Sequence, residues 1–257
     1  MFLALILTSV QLTSSAQAET LQAGGTQWRP FSYEDEQGQL RGIATDIARR
    51  VLQLAQIDAQ FVSFPVNRLQ AMLAKGELDL NYADSAQWNS PEELQRFAFS
   101  QPYMNVREHL YVLKGNAIAQ TPVDKLNGQT IGVVRGYTYR TMDPLFADRR
   151  LTRLQTSEDP ALLQLLQAGR VDAVAMVDDL FDYLIASKGL DRNLFERGAR
   201  LSEAPLAMKL QPQYAVLLPR INAAIETLIR SGEVKKIRSA YHATEAVSEC
   251  QREPGDC

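Results

Sequence analysis

Cysteine and histidine are almost missing from this chain. Its 257 residues hold two cysteines, Cys250 and Cys257, both at the extreme C-terminus. No disulfide framework can therefore hold the fold together, and no Cys-x-x-Cys pair offers a zinc or redox site. The two histidines, His109 and His242, are too few for a typical zinc site and read as structural. Also absent are Gly-x-Gly-x-x-Gly, a Gly-Lys-Ser/Thr loop and a Gly-x-Ser-x-Gly elbow. That removes the common signatures of dinucleotide, nucleoside triphosphate and serine-hydrolase chemistry. No cofactor or metal is expected.

Other absences bound the class. No apolar run reaches the ~20 residues of a membrane span. No run of Lys and Arg alternates with aromatics, and the net charge is −3. Neither nucleic acid nor an anionic membrane surface is an expected partner. No proline- or serine-rich linker divides the chain, which is long enough for one large or two modest domains.

The N-terminus reads as an export signal. Met1 to Val10 is almost wholly apolar, and Ala16-Gln17-Ala18 supplies a small–x–small cleavage site. Residues 1–18 are expected to be removed, leaving a soluble mature chain from about Glu19, although no basic residue precedes Arg29. Outside the cytoplasm, Cys250 and Cys257 are expected to form a small disulfide loop in a C-terminal tail, residues 246–257.

A short unit occurs twice. Leu69-Gln-Ala-Met-Leu-Ala-Lys-Gly76-Glu-Leu-Asp79-Leu80 returns as Leu162-Leu-Gln-Leu-Leu-Gln-Ala-Gly169-Arg-Val-Asp172-Ala173. Each copy reads as an apolar-faced helix, a glycine that stops it in the left-handed conformation, and an aspartate turning into a strand. Asp79 and Asp172 are therefore assigned to structure. Two such units predict two similarly built α/β lobes with a cleft between them, where ligands bind beyond the carboxyl ends of the strands.

The rest of the chain alternates strand and helix. After a first strand comes the aromatic loop Trp28-Arg-Pro-Phe-Ser-Tyr33, then a helix carrying Ile43, Ile47, Val51 and Leu54 on one stripe. Phe61–Phe64 and Leu80–Ala83 read as strands, and Asp84 to Arg96 as a polar stretch. His109 to Gly115 and Thr130 to Val134 read as strands, with Arg135-Gly-Tyr-Thr138 starting a helix. Asp159-Pro160 reads as an N-cap followed by proline at N1. Val171 to Val177 is a buried strand, Asp178-Asp179 opens a helix, and Tyr214 to Leu218 is a last strand before two closing helices. Crossings between lobes are placed near 112–116 and 204–210. Lobe 1 then comprises 19–112 and 207–245, and lobe 2 comprises 113–206.

The residues at strand-to-helix junctions converge on one sheet edge. They are Trp28, Phe31 and Tyr33; Asn67 and Arg68; Tyr82, Asp84 and Ser85; Arg135 to Thr138; and Asp178. Together they can surround one small polar molecule. Phe31 and Tyr103 read equally well as core aromatics, and Tyr33, Arg68 and Asp178 as surface or ion-paired residues.

In order and spacing, five segments resemble the periplasmic solute-binding proteins of ABC importers, in the polar amino-acid branch. They are Trp28–Tyr33 with Gly42–Ile47, Gly76–Asp79, Phe99-Ser-Gln-Pro-Tyr103, Ile131–Gly136 and Gly169–Asp172. The ending Ile229–Ile237 fits as well. The resemblance implies an α/β, two-lobed fold of type II, each lobe a mixed sheet flanked by helices, with two hinge crossings. It implies capture of a small polar solute, an amino acid or related compound, by a monomer that serves an ABC importer permease and is not an enzyme. Trp28, Phe31 and Tyr33 would supply stacking faces, Gly136, Tyr137 and Thr138 backbone N–H groups for a carboxylate, and Asp178 or Asp179 an ammonium partner. Asn67, Arg68, Tyr82, Asp84 and Arg135 complete the expected ligand set. One position departs: amino-acid binders of the branch carry an arginine before the Phe-Ser-x-Pro-Tyr segment, and Glu93 falls near its place. Arg68 or Arg135 would then supply the missing charge. Two other readings on this fold are a dehydratase of the cyclohexadienyl type, with Asp84 or Glu93 as its acid, and a solute sensor without transport.

Overall fold

The computed structural model describes residues 20–35 and 37–241. The signal segment 1–18, the tail 246–257, His242 and the Cys250–Cys257 pairing lie outside the described residues.

The first part of the chain forms β1 (Leu21–Gly25), β2 (Tyr33–Glu34), β3 (Leu40–Arg41), α1 (Ile43–Leu54) and β4 (Ala59–Ser63). It continues with α2 (Val66–Lys75), β5 (Leu80–Asp84), α3 (Pro91–Arg96) and β6 (Ala98–Phe99). Next come β7 (Met104–Leu113), β8 (Thr130–Val134), α4 (Asp143–Ala147), β9 (Thr152–Thr156) and α5 (Pro160–Gln167). The last elements are β10 (Ala173–Val177), α6 (Asp178–Ser187), β11 (Phe195–Leu210), α7 (Leu218–Arg230) and a helix over residues 233–241.

Two lobes of one plan result. β4, β1 and β5 run parallel in that spatial order, and β9, β8 and β10 repeat it. Antiparallel strands complete each mixed sheet, β11 and β6 in the first lobe and β7 and β11 in the second. β11 is common to both: it pairs with β7 as far as Leu206 and with β5 from Ala207. The chain also leaves the first sheet after β6, ahead of the crossing expected at 112–116, because all of β7 pairs with second-lobe strands.

The repeated unit performs the same task twice. Gly76 and Gly169 close their helices at φ 76° and 63°. Asp79 then accepts the backbone N–H of Gln22 at 2.7 Å, and Asp172 that of Thr130 at 2.7 Å. Each aspartate thus ties its own strand to the central parallel strand of its lobe.

Apolar spacing sets the packing of α1. Ile43, Ile47 and Val51 are wholly buried, against Ile221, Ile225 and Leu228 of α7 and the sheet. Each such side chain contributes about 1.5–3 kcal/mol by burial. Leu54, expected on the stripe, is 40% exposed, and Leu52 takes the inner position. α1 can start where it does because Gly42 sits at φ 125°, where a Cβ would lie 2.3 Å from the Phe31 carbonyl oxygen.

Three local expectations are corrected. Tyr214–Leu218 is not a strand: Pro212–Leu217 forms a 3-10 turn leading into α7. Residues 135–142 are irregular, so Arg135–Thr138 does not start a helix, and α4 begins only at Asp143. The polar stretch after Asp84 contains α3, started by a capping box in which Ser90 and Glu93 exchange side-chain-to-backbone hydrogen bonds.

Candidate functional site

A cleft of about 220 Å³ lies between the lobes. It forms at the carboxyl ends of the parallel strands, where loops and helix starts leave polar groups in reach of a ligand. The first wall holds Thr26 and Trp28 after β1, Val66, Leu69 and Gln70 of α2, and Asn81, Ala83 and Asp84 of β5. Trp88, Asn89 and Glu93 extend it. The second wall holds Glu108 of β7, Gly136 to Tyr139 after β8, Asp159 before α5, and Ala175 to Val177 of β10. Lys209 enters from the shared strand. The lobes also touch: Gln70 Nε2 donates to the Gly136 carbonyl at 3.3 Å, and Arg140 to the Asn89 carbonyl at 3.3 Å. Away from the cleft lining, Arg29 donates to the Tyr183 hydroxyl at 3.3 Å and Arg238 to Asp179 at 2.6 Å.

Charge in the cleft is lopsided. Among the described lining residues Lys209 is the one cation, against the carboxyls of Asp84, Glu93, Glu108 and Asp159. Lys209 is 3% exposed and already engaged. Its ammonium donates to Asn89 Oδ1 and to Glu93 Oε1 at 3.1 Å, and lies 3.8 Å from Asp84 Oδ2. Burial raises the Asp84 carboxyl above its ordinary pKa, while Lys209, Asn89, the Ser85 amide and Asn81 restrain the rise. Burial also pushes Glu93 up, but the Ser90 amide and Lys209 together outweigh it and hold that carboxyl below its usual value.

The opposite wall lacks such compensation. Burial pushes Glu108 up to about 7; the Ser202 hydroxyl at 3.2 Å opposes the rise, and the nearby Asp159 and Asp143 add to it. Burial likewise pushes Asp159 up to about 7, against its own backbone and the Tyr137 hydroxyl at 3.5 Å. An isolated carboxylate in such surroundings keeps its proton because the charged form loses its hydration.

Of the residues expected at the site, Trp28, Asp84, Gly136, Tyr137 and Thr138 line the cleft. Phe31 does not: it is fully buried behind Trp28, with ring centroids 4.3 Å apart. Tyr33 lies under the Arg29 guanidinium at 4.0 Å. Tyr82 is a core residue whose hydroxyl pairs with Ser32 at 2.7 Å, and Tyr103 is buried with its hydroxyl donating to the Tyr82 carbonyl. Arg68 stacks on Phe64 at 4.6 Å, and Arg135 is exposed; neither is among the lining residues. Asn67 is also absent from the lining residues, its Oδ1 filling the space where a Cβ on Gly136 would be.

Asp178 is the most informative displacement. The cleft lining takes in Ala175, Met176 and Val177 of β10 but stops there, and Asp178, the first residue of α6, is not part of it. Asp178 Oδ1 lies 2.7 Å from His109 Nδ1 and accepts from the Tyr111 hydroxyl at 2.8 Å, and Oδ2 accepts from Arg197 at 3.3 Å. Asp179 is 9% exposed and bonded to Arg238.

Sequence reasoning missed Glu108, Asp159, Lys209 and Trp88 as lining residues. Asp159 carried the wrong signal: its helix-start position suggested a cap, yet its side chain makes no capping bond. Glu108 lay just ahead of the strand read as His109 to Gly115, whereas β7 starts at Met104; its polar side chain between buried Val106 and Leu110 was a usable hint. Glu93 was expected only as the residue standing where an arginine belongs, or as the acid of a dehydratase, and not as a partner of Lys209.

The chain is similar to known binding proteins over most of its length. The L-cystine-binding protein TcyJ of Escherichia coli K12 is 25% identical over 213 residues, 82% of this chain and 78% of that one. An arginine-binding periplasmic protein of Mannheimia haemolytica is 27% identical over 232 residues, 87% of this chain and 91% of its own. Among solved structures, an ancestral arginine-binding protein bound to arginine superposes with a TM-score of 0.74 at 23% identity, covering 86% of this chain and 97% of that one. This likeness, with the matched sheet orders and shared β11, shows the type II periplasmic-binding-protein fold. The profile of one family matches residues 22–244. The chain belongs to the bacterial extracellular solute-binding proteins, family 3, as an exported, soluble periplasmic binding protein of the polar amino-acid, ABC-importer type and not an enzyme.

Proposed function

We propose that this protein captures an amino acid or a related small polar compound in its interlobe cleft and hands it to an ABC importer permease. The observation that carries the reading is the cleft itself, lined by polar groups from both lobes and by Lys209 of the strand they share. A solute there contacts both walls at once, so it favours the closed arrangement by its differential affinity and the hinge strands transmit the change. Relatives named for L-cystine, arginine and histidine support this class of solute. The ligand set comprises Trp28, Asp84, Gly136, Tyr137 and Thr138, joined by Trp88, Glu108, Asp159 and Lys209. The lobe division belongs to the same reading: the described residues of 20–103 and 207–241 form the first lobe, residues 104–206 the second, and the protein acts as a monomer.

A thermal-shift screen of the mature protein against amino acids, polyamines, dicarboxylates and sugars tests the proposal. A ligand at ~100 times its dissociation constant stabilises by ~2.7 kcal/mol, enough to move the melting temperature by several degrees. No stabilising compound, or a shift that survives filling the cleft with Thr138→Trp, would count against it.

A further inference from the structure

The pairing of charges within the cleft discriminates between chemical classes of solute. A ligand carboxylate is held most strongly by a free cation, and Lys209 is not free: Glu93, Asn89 and Asp84 already surround its ammonium, and it lies 4.4 Å from the centre of the Phe97 ring. Adding an anion there would mean displacing Glu93 from its partner, or crowding a third carboxylate around one lysine. On the other wall the imbalance runs the opposite way. Glu108 and Asp159 face the cleft with one side-chain partner each, a hydroxyl, and no Lys or Arg pairs with either among the described residues. They are near enough to each other for the charge of Asp159 to raise Glu108. Ionised, these two carboxyls are costly to bury without a counter-charge, and a positive group on the solute would supply the charge that no Lys or Arg of the cleft provides. The remaining lining agrees. The rings of Trp28 and Trp88 meet edge to face at 6.0 Å, and with Tyr137 they offer the aromatic surface a cation favours.

Resting on the reading of this cleft as the solute site, we propose that its solute is a small organic cation. An amine or guanidine group is held against Glu108, Asp159 and the aromatic wall, and no carboxylate on the solute is required.

Agmatine and arginine form a matched pair for the test, since agmatine is arginine without its carboxylate. Isothermal titration of the mature protein at pH 8 with agmatine, putrescine, arginine and glutamate gives the comparison. The expected result is that agmatine or putrescine binds at least as tightly as arginine, that glutamate does not bind, and that Glu108→Gln and Asp159→Asn each weaken the cation 10-fold or more. Both substitutions keep the side-chain shape, and circular dichroism verifies that the variants are folded. Arginine binding 10-fold tighter than agmatine, or cation affinity untouched by both variants, would overturn the proposal while leaving the cleft as a solute site. Silence from all four probes and from the wider metabolite screen would overturn both.

Discussion

Glu93 and Lys209 form an ion pair at 3.1 Å in the cleft lining, and the two carboxylate oxygens of Glu93 serve different partners. Oε1 accepts from Lys209, while Oε2 accepts the backbone N–H of Ser90 in the capping box of α3. One residue thus starts a helix and occupies the only cation among the described lining residues.

Breaking this pair from the lysine side should destabilise the fold. Lys209→Met leaves the buried Asp84 without its opposite charge, and removing one partner of a buried pair is costly. A loss on the order of 2–3 kcal/mol in urea-unfolding free energy is expected. Glu93→Gln, which spares the cap and leaves Asp84 to balance Lys209, should lose less than half of that.

Asp79 and Asp172 make a matched pair for a second measurement. Each accepts a strand N–H at 2.7 Å, a charge-assisted bond of about 1.5–3 kcal/mol when shielded from water. Asp79 is half-buried and Asp172 exposed, so Asp79→Asn should destabilise by more than Asp172→Asn. Equilibrium unfolding of the two variants checks both the sign and the order.

The acidic wall predicts how stability depends on pH. Glu108 and Asp159 ionise near 7 in the folded protein, above their values in the unfolded chain. Between about pH 4.5 and 7 the folded state therefore binds more protons, and by linkage these two groups make the solute-free protein less stable as pH rises through that window. The groups acting on them are Asp143, Glu158, Tyr137 and Ser202. The double variant Glu108→Gln with Asp159→Asn should flatten the profile of melting temperature between pH 5 and 8. A bound cation should reverse the slope, because it favours the ionised carboxyls.

Gly136 tests the approach of the lobes. It sits at φ 88°, and a Cβ there would lie 2.0 Å from Asn67 Oδ1 on the facing wall. Gly136→Ala should hold the lobes apart and weaken solute binding about 10-fold, worth ~1.4 kcal/mol. Adding Asn67→Ala should restore part of the affinity, the remainder reflecting backbone strain at positive φ. Titration calorimetry on the single and double variants measures both.

The plan of the fold was legible because it is written locally. Gly76 and Gly169 end their helices, Asp79 and Asp172 begin their strands, and the spacing of Ile43, Ile47 and Val51 names a buried face. β11 was not legible as one strand, since Gly198 and Pro205 interrupt its alternation and its pairing spans both lobes. The site was harder still. One residue at a strand end separates a lining position from a structural one: Val177 lines the cleft, and Asp178 is held beside it by His109 and Tyr111. Asp159 looked like a helix cap because residue type and position suit both roles, and only the direction of its side chain separates them. Lys209 and Glu93 lie 116 residues apart, so nothing in their local sequence announces the pair.

On the proposed function, solute binds between Trp28 and Tyr137, in the cleft. The chain has two tryptophans, Trp28 and Trp88, and both line that cleft. Intrinsic tryptophan fluorescence therefore reports on this one place, and its change during titration with a solute found by the thermal screen is the most direct measurement. A saturable change in emission with the calorimetric dissociation constant, lost in Trp28→Phe combined with Trp88→Phe, is the predicted result. Calorimetric binding that leaves the emission of both tryptophans unaltered would contradict it.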